Sequence, residues 1–155
     1  MNSVVSEIVT TDTPQALSPQ TVVLDTNIVL DLWLYQDPAT PALLQALQQK
    51  TVCWLSTQVM RDELERVLAY EHIAKRLVVG GLSAEHVLNQ FDAHAQLMPV
   101  APKAQFICKD ADDQKFIDLA AQHHAVLVSK DKAVITMRNR MARLGVQVVK
   151  QIGSP

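Results

Sequence analysis

Four carboxylates stand at places in the chain where they could bind a metal ion together. Asp25 directly follows the apolar run VVL, and Asp131 lies three residues beyond the apolar run AVLV. Glu63 and Asp113 fall in the early turns of segments with helical periodicity. Acids that converge on one place repel one another unless something compensates their charge, and Mg²⁺ prefers oxygen ligands of this kind. The residue types therefore point to divalent-metal chemistry on a phosphate-bearing substrate.

Each of these acids also has a structural explanation. Aspartate after a strand is a common helix N-cap, and aspartate in a first turn complements the helix dipole. Glu63 is flanked by Asp62 and Glu65, which fits a solvated helix face. Taken singly, each acid is more simply explained in these terms. Taken together, four acids at one edge of a sheet favour a metal site.

The elements that would position these acids alternate along the chain. Strands are predicted at Val22–Leu24, Thr51–Leu55, Met98–Val100, Ala125–Val128 and Val146–Val149. Helices are predicted over Ile28–Tyr35, after Pro41, after a cap at Ser56 or Thr57, after a cap at Ser83, from Asp112 or Asp113, and over residues 132–143. This alternation predicts an α/β fold with three α/β/α layers around a parallel, Rossmann-like sheet of about five strands. In such sheets the working crevice lies beyond the carboxyl ends of the strands.

Length and composition fit one globular domain preceded by an extension. The chain has 155 residues, of which 48% are hydrophobic and 19% charged. Residues 1–20 are rich in Ser, Thr, Pro and Gln and have no sustained periodicity, so we predict a flexible extension there. Residues 21–155 are predicted to form the single domain.

Several classes of protein are excluded or disfavoured. Four glycines are too few and too scattered for a phosphate-binding loop or a GxSxG nucleophile elbow. A net charge of −2 argues against binding to nucleic acid by bulk charge alone. Cys53 and Cys108 have no metal-binding spacing and suit a reducing compartment as buried apolar residues. With neither a secretory signal nor a long apolar run in the sequence, we expect a cytoplasmic protein.

Four motifs in order give the chain a recognisable pattern. VVLDTN ends a strand in Asp25, STQVMRDELERVL carries Glu63 on a helix, DQKFIDLA opens a helix with Asp113, and VLVSKD places Asp131 after a strand. Over residues 21–150 this pattern resembles the PIN-domain family of metal-dependent ribonucleases, and within it the PIN toxins of bacterial toxin–antitoxin modules. Ser129 stands where the family usually has threonine, and it keeps the hydroxyl group.

The resemblance implies a hydrolase that cleaves phosphodiester bonds of RNA. Asp25, Glu63, Asp113 and Asp131 would be the catalytic residues and would hold one or two Mg²⁺ or Mn²⁺ ions, which activate water and neutralise charge at phosphorus. The number of ions stays open.

Several neighbouring residues have supporting roles in this interpretation. Thr26 and Asn27 would position the first loop, and Ser129 would hydrogen-bond a carboxylate or phosphate. Asp110 and Asp112 compete with Asp113 as the ligand at that position. The family spacing to the alanine of DQKFIDLA favours Asp113.

The expected partners are RNA, a cognate antitoxin and a second copy of the chain. Lys130, Lys132, Arg140 and Arg143 lie around the last predicted helix and could contact phosphates, although a solvated face is the simpler explanation. An antitoxin would cover the acidic cleft, often with a basic side chain. By analogy with the family we expect a homodimer, with an apolar surface around Trp33 and Leu43 as the candidate interface.

Three other functions remain as alternatives. A phosphatase of the haloacid dehalogenase type also begins with a strand and an aspartate, but it needs a second aspartate two residues later, where this chain has Asn27. A non-catalytic domain of the same fold could bind RNA or a protein. A purely structural explanation treats all four acids as caps without metal.

Overall fold

A single parallel sheet of five strands forms the centre of the protein. A computed structural model describes residues 19–152. The strands are β1 (Gln20–Leu24), β2 (Val52–Ser56), β3 (Ala95–Leu97), β4 (Val126–Val128) and β5 (Val148–Val149). They lie in the order β3-β2-β1-β4-β5, and every neighbouring pair is parallel. Residues 1–18 of the predicted extension lie outside the described residues, and Gln20 already belongs to β1.

Helices connect the strands and cover the sheet. They are α1 (Thr26–Leu30), which continues as a π-helical turn (Asp31–Tyr35), α2 (Pro41–Gln49), α3 (Gln58–Leu68), α4 (Glu71–Val79), α5 (Ala84–His94), α6 (Gln114–His123) after a 3₁₀ turn (Ala111–Asp113), α7 (Lys132–Ile135) and α8 (Arg138–Ala142). Thr57 and Ser83 cap α3 and α5 through their hydroxyl oxygens, as predicted. None of the helices in residues 19–152 is both long and apolar enough to cross a bilayer.

The side chains of the central strands alternate between two cores. Val22 and Leu24 of β1 face one apolar cluster, together with buried side chains of α1 to α5. Val23 and Leu127 face the other cluster, which is packed with side chains of α6, α7 and α8. Because successive strand residues point to opposite faces, a sheet buried on both sides must be apolar throughout. The predicted α/β/α architecture is confirmed.

The third strand was predicted three residues too late. It spans Ala95–Leu97 instead of Met98–Val100, and its register pairs Ala95 with Trp54 of β2. This strand lies at the edge of the sheet, where its residues are half-buried or exposed. Edge strands lack the apolar pattern on which the prediction depended, so their position is decided by pairing with the neighbour.

The last predicted helix is divided and the last strand is shorter than expected. Residues 132–143 form α7 and α8, with Met137 outside helical geometry between them. The hydroxyl group of Thr136 donates to the carbonyl of Ala133 at 3.0 Å, and such local bonds compete with a continuous helix. Strand β5 contains only Val148 and Val149. Helix α4 was not predicted at all.

The apolar surface that was predicted for dimer formation is inside the protein. Trp33 and Leu43 are both buried, and Trp33 stacks on Trp54 with 5.9 Å between ring centroids. The edge of the Phe91 ring packs on Trp54 at 5.0 Å. These residues stabilise the core of one chain, so they are not available as an exposed interface.

Gly145 offers a test of the turn that returns the chain to β5. Its φ of +76° is a conformation that side chains disfavour, and an added Cβ would lie 3.1 Å from Nδ1 of His124. We expect Gly145→Ala to lower the free energy of unfolding by about 1–2 kcal/mol in urea denaturation. Gly80→Ala is the control, since its Cβ would meet nothing closer than 3.6 Å. Equal stability of the two variants would contradict this assignment.

Candidate active site

The site forms at the ends of the neighbouring strands β1 and β4, where the chain leaves the two strands toward opposite faces of the sheet. Helix α1 follows β1 and packs on one face of the sheet, whereas α7 follows β4 and packs on the other. Asp25 directly follows β1, and its backbone N–H still donates to the carbonyl of Val128 at 3.2 Å. Ligands of open α/β sheets bind at this kind of switch point, beyond the carboxyl ends of the strands.

Asp25 is a helix cap as well as a site residue. It is buried, and Oδ1 accepts the backbone N–H of Ile28 at 3.1 Å in the first turn of α1. Its other oxygen accepts a hydrogen bond from the hydroxyl group of Ser129. The side chain is therefore held by one donor from α1 and one from the residue that follows β4.

Ser129 connects the first and last acids of the predicted set. Its fully buried hydroxyl group donates to Asp25 and accepts the backbone N–H of Asp131 at 3.0 Å. Asp131 then caps α7 by accepting the N–H of Ala133 at 2.8 Å. The predicted hydrogen bond from Ser129 to a carboxylate is therefore present, and it fixes the loop between Asp25 and Asp131.

Three carboxylates come together beside this bridge. Asp110, Asp113 and Asp131 each offer an oxygen, and the three atoms lie within 4.8 Å of one another. Asp110 precedes the 3₁₀ turn and accepts the N–H of Asp112 at 2.9 Å, while Asp113 ends that turn at the start of α6. The structure thus brings two of the competing acids, Asp110 and Asp113, to the same place, and leaves Asp112 exposed.

Burial and mutual repulsion favour the neutral form of two of these acids. The pKa of Asp113 is raised from 3.8 to about 7, first by burial and then by the charges of Asp131 and Asp110, with a smaller contribution from Asp25. The pKa of Asp25 is raised to about 6, chiefly because burial removes water from its carboxylate.

The donor set fits a hard divalent cation. All the converging atoms are carboxylate oxygens, which Mg²⁺ and Mn²⁺ prefer to bind. Oδ2 of Asp113 is buried and has no hydrogen-bond donor among the described residues. A buried acceptor without a donor is costly, and a cation would satisfy it and remove the repulsion.

Two of the four predicted metal ligands, Asp25 and Glu63, lie outside this group of three. The oxygens of Asp25 accept Ile28 and Ser129.

Glu63 has other partners. Its Oε1 accepts the hydroxyl group of Thr26 at 3.1 Å and lies 3.2 Å from Nζ of Lys115. Thr26 follows Asp25 directly in the chain. Its hydrogen bond to Glu63 therefore places Glu63 at the edge of the site, next to Asp25. The predicted positioning role of Thr26 fits this contact, while Asn27 is exposed in the first turn of α1.

The four basic residues predicted to contact RNA occupy different surroundings. Lys130 pairs with Asp31 at 2.5 Å and lies 3.6 Å from Asp37, and these acids raise its pKa. Lys132 is exposed beside Asp131, and Arg140 is exposed on α8.

Arg143 lies on the far side of the molecule from the acids. It adjoins Leu144, whose carbonyl contacts His124 at the far end of α6. That end is about 15 Å of helix away from Asp113. Of the four basic residues, Lys130 and Lys132 are therefore next to the acids, and Arg143 is not.

Two residues of the site were missed by sequence reasoning. Asp31 is buried at the start of the π-helical turn after α1, where it pairs with Lys130 and adds negative charge near Asp25. The sequence feature that could have identified Asp31 was an acidic residue inside an otherwise apolar segment. Lys115 follows Asp113 by two residues and contacts Glu63, and nothing in the sequence distinguished it from a surface lysine.

Comparison with known proteins agrees with this geometry. A protein-family model described as PIN domain matches residues 21–133, a span that contains Asp25, Glu63, Asp113 and Asp131. The chain belongs to the PIN domain family. An uncharacterized protein of Methanocaldococcus jannaschii is 23% identical to it over 128 residues, which cover 76% of this chain and 75% of the relative.

Membership confirms the resemblance and gives the site a general chemistry. PIN domains are generally nucleases and typically depend on divalent metals, and this chain has an acidic cluster of Asp110, Asp113 and Asp131. The match ends at residue 133, and α8 and β5 of this PIN domain lie beyond it.

The raised pKa of Asp113 predicts how pH affects the metal-free protein. Between pH 4 and 7 the folded state holds a proton that the unfolded state, with a pKa near 3.8, has released. This contribution to the free energy of unfolding therefore decreases as pH rises through that window. In EDTA we expect Asp113→Asn to be more stable than wild type at pH 7.5, by on the order of 1 kcal/mol after solvent screening.

Urea denaturation from pH 5 to 8 in EDTA measures this difference. The advantage of Asp113→Asn should grow with pH and then level off above pH 7. Asp112→Asn is the matched control, because that neighbouring side chain is exposed. Parallel pH curves for wild type and Asp113→Asn would contradict the prediction.

Proposed function

We propose that this PIN domain is a Mg²⁺- or Mn²⁺-dependent endoribonuclease that hydrolyses phosphodiester bonds of RNA. The observation that carries the proposal is the meeting of Asp110, Asp113 and Asp131 within 4.8 Å, with a buried oxygen of Asp113 left without a donor. Membership in a family of nucleases supplies the reaction class.

Each residue of the site has a defined task in this proposal. Asp110, Asp113 and Asp131 would hold the cation, which supplies a Lewis acid next to the scissile phosphate and lowers the pKa of water. Ser129 keeps Asp25 beside this group through its hydrogen bond. Asp25 and Asp131 are also fixed as helix caps, so the site is rigid before substrate binds.

The surroundings are compatible with a polyanionic substrate despite the acids. A divalent ion would compensate two of the negative charges, and Lys130 and Lys132 flank Asp131 in the chain. Lys132 is an exposed residue, so its ammonium group would be available to a phosphate of an extended RNA strand.

RNA cleavage is the direct test. With labelled single-stranded RNA and Mn²⁺ or Mg²⁺, we expect wild type to cleave and Asp25→Asn and Asp113→Asn to be at least about a hundredfold slower, since each loses a carboxylate at the reacting centre. EDTA should abolish cleavage, and Asp112→Asn should retain it. RNA binding without cleavage by wild type would favour the alternative, a non-catalytic PIN domain that binds RNA or protein.

We further propose that the protein is the toxin component of a toxin–antitoxin system. Its support is the resemblance of the four motifs to PIN toxins and the acidic character of the site, which a basic side chain of an antitoxin can neutralise. A homodimer, proposed by analogy with the family, would use residues other than the buried Trp33 and Leu43.

Growth of a bacterial host tests the toxin role. Induced expression of wild type should arrest growth, whereas expression of Asp113→Asn at the same level should not. Co-expression of an adjacent small gene should restore growth. Equal growth with both variants, together with RNA cleavage in vitro, would reject the toxin role and leave the nuclease.

A further inference from the structure

The segment that carries Asp110 has no helix or strand of its own. Residues 98–110, the 98–110 loop, connect β3 to the 3₁₀ turn before α6. Asp113 and Asp131, by contrast, lie directly before α6 and α7. Compact domains seldom contain a loop of this length without secondary structure, and its backbone needs hydrogen-bond partners from elsewhere. Asp110 meets the other two acids only if this loop is held in place.

Two side chains of α6 hold the loop. Nε2 of Gln114 donates to the carbonyl of Phe106 at 3.2 Å, and Oε1 accepts the N–H of Cys108 at 2.5 Å. Nε2 also donates at 2.8 Å to Oδ1 of Asp118, which accepts the N–H of Ala104 at 2.8 Å as well. Gln114 and Asp118 therefore form a clamp, the loop clamp, on three backbone groups of the 98–110 loop.

The orientation of Gln114 is fixed by these bonds. Its Nε2 donates to two acceptors, its Oε1 accepts one donor, and only 8% of the residue is exposed. Gln58 shows the contrast, because its Nε2 donates to Asp62 on the same helix and both residues are exposed. A bond of that kind restrains nothing beyond its own helix. The buried bonds of Gln114 join α6 to the loop instead.

The loop clamp lies close in the chain to two of the three acids. Gln114 directly follows Asp113, and Cys108 precedes Asp110 by two residues. The bond between Gln114 and Cys108 therefore ties the segment that holds Asp113 to the segment that holds Asp110. Because so few residues separate each acid from this bond, a displacement of the loop at Cys108 would displace Asp110 with it.

Cys108 also contacts the segment of the third acid. Its thiol is buried and donates to the carbonyl of Ala133 at 3.7 Å. The N–H of Ala133 is the group that Asp131 caps at 2.8 Å. Cys108 is thus bonded to α6 through its backbone and to α7 through its side chain, close to the helix starts at which Asp113 and Asp131 lie.

We propose that Gln114 is a positioning residue of the metal site, which keeps Asp110 beside Asp113 and Asp131 before a cation binds. The three carboxylates are then in place for a cation, whose binding does not have to order the 98–110 loop. Residues that orient metal ligands change metal affinity about ten- to a hundredfold when they are replaced. This inference deepens the proposed function and rests on it for the cation site itself.

Hydrogen exchange in EDTA tests the clamp in the metal-free protein. By NMR, we expect the amide of Cys108 to be protected in wild type, because it is bonded to Gln114. In Gln114→Met, which keeps the length of the side chain without its hydrogen bonds, exchange should be at least about tenfold faster. The amide of Leu127 in β4 is the internal reference and should not change. An unprotected Cys108 amide in wild type, or equal protection in the two proteins, would overturn the inference.

Mn²⁺ affinity tests the consequence for the metal site. In titrations followed by electron paramagnetic resonance, Gln114→Met should bind Mn²⁺ about ten- to a hundredfold more weakly than wild type. Ser83→Ala is the control, because it destabilises the fold by removing the cap of α5, outside the 98–110 loop and α6. Its affinity should stay within about twofold of wild type. The inference is wrong if Gln114→Met binds Mn²⁺ as tightly as Ser83→Ala does.

A double variant shows whether Gln114 acts through Asp110. In the Asp110→Asn background, where the loop has already lost its carboxylate, Gln114→Met should weaken Mn²⁺ binding by no more than about threefold further. Two residues that act as a unit are non-additive in this way. If Gln114→Met causes the same loss in both backgrounds, Gln114 does not act through Asp110 and its assigned role is wrong.

Failure of this inference can be told apart from failure of the proposed nuclease. If Gln114→Met loses Mn²⁺ affinity as expected but wild type cleaves no RNA, the inference stands and the nuclease function is wrong. If wild type cleaves RNA and Gln114→Met binds Mn²⁺ normally, only the inference is wrong. If wild type binds no Mn²⁺, both are wrong.

Circular dichroism checks that Gln114→Met folds. If it does not fold, Asp118→Ala decides, since this variant removes the other half of the loop clamp. Weaker Mn²⁺ binding by Asp118→Ala supports the inference, and unchanged binding overturns it.

Discussion

The close approach of ionisable carboxylates at the edge of the sheet is the constraint on which the rest of the site depends. Asp110, Asp113 and Asp131 repel one another, and the burial that surrounds them makes the repulsion stronger. Without a cation, a proton on Asp113 would relieve this repulsion, and burial together with the charges of Asp131 and Asp110 raises the pKa of Asp113 to about 7. A bound divalent ion would relieve it by charge compensation instead. Proton and metal therefore compete for the same oxygens, and metal binding should release protons.

The acids can be held together because most of them also accept hydrogen bonds from backbone N–H groups. Asp25, Asp110 and Asp131 each accept a backbone N–H at the start of a helical segment. Their side chains are ordered by these caps, so their positions do not depend on the presence of metal. The structural explanation of each acid as a cap and the proposed function of the group are therefore compatible. The cap fixes the side chain, and Asp110 and Asp131 also each bring an oxygen to the group that includes Asp113.

Local patterns in the sequence predicted the layers, the parallel sheet and the strand ends that carry Asp25 and Asp131, because buried strands and capped helices leave strong signals. The exposed edge strand β3 was misplaced, because its side chains contact solvent and its register comes from β2. Within the site, the sequence predicted which acids to consider. The pairing of Glu63 with Lys115 depends on how α3 and α6 approach each other across the domain, and a single sequence carries no information on that approach.

The strand order has a consequence for how the protein acquires its site. Strand β1 lies in the middle of the sheet, and its partner on the active-site side, β4, comes about a hundred residues later; the bridge from Ser129 to Asp25 spans 104 residues. Contacts of such high sequence separation form slowly, after much of the loop-closure entropy has been lost. A folding chain that has paired only β1, β2 and β3 holds Asp25 and Glu63 but not the three aspartates. In the proposed nuclease, activity would therefore arise in one late step of folding, and topology alone would keep partly folded chains from cutting RNA.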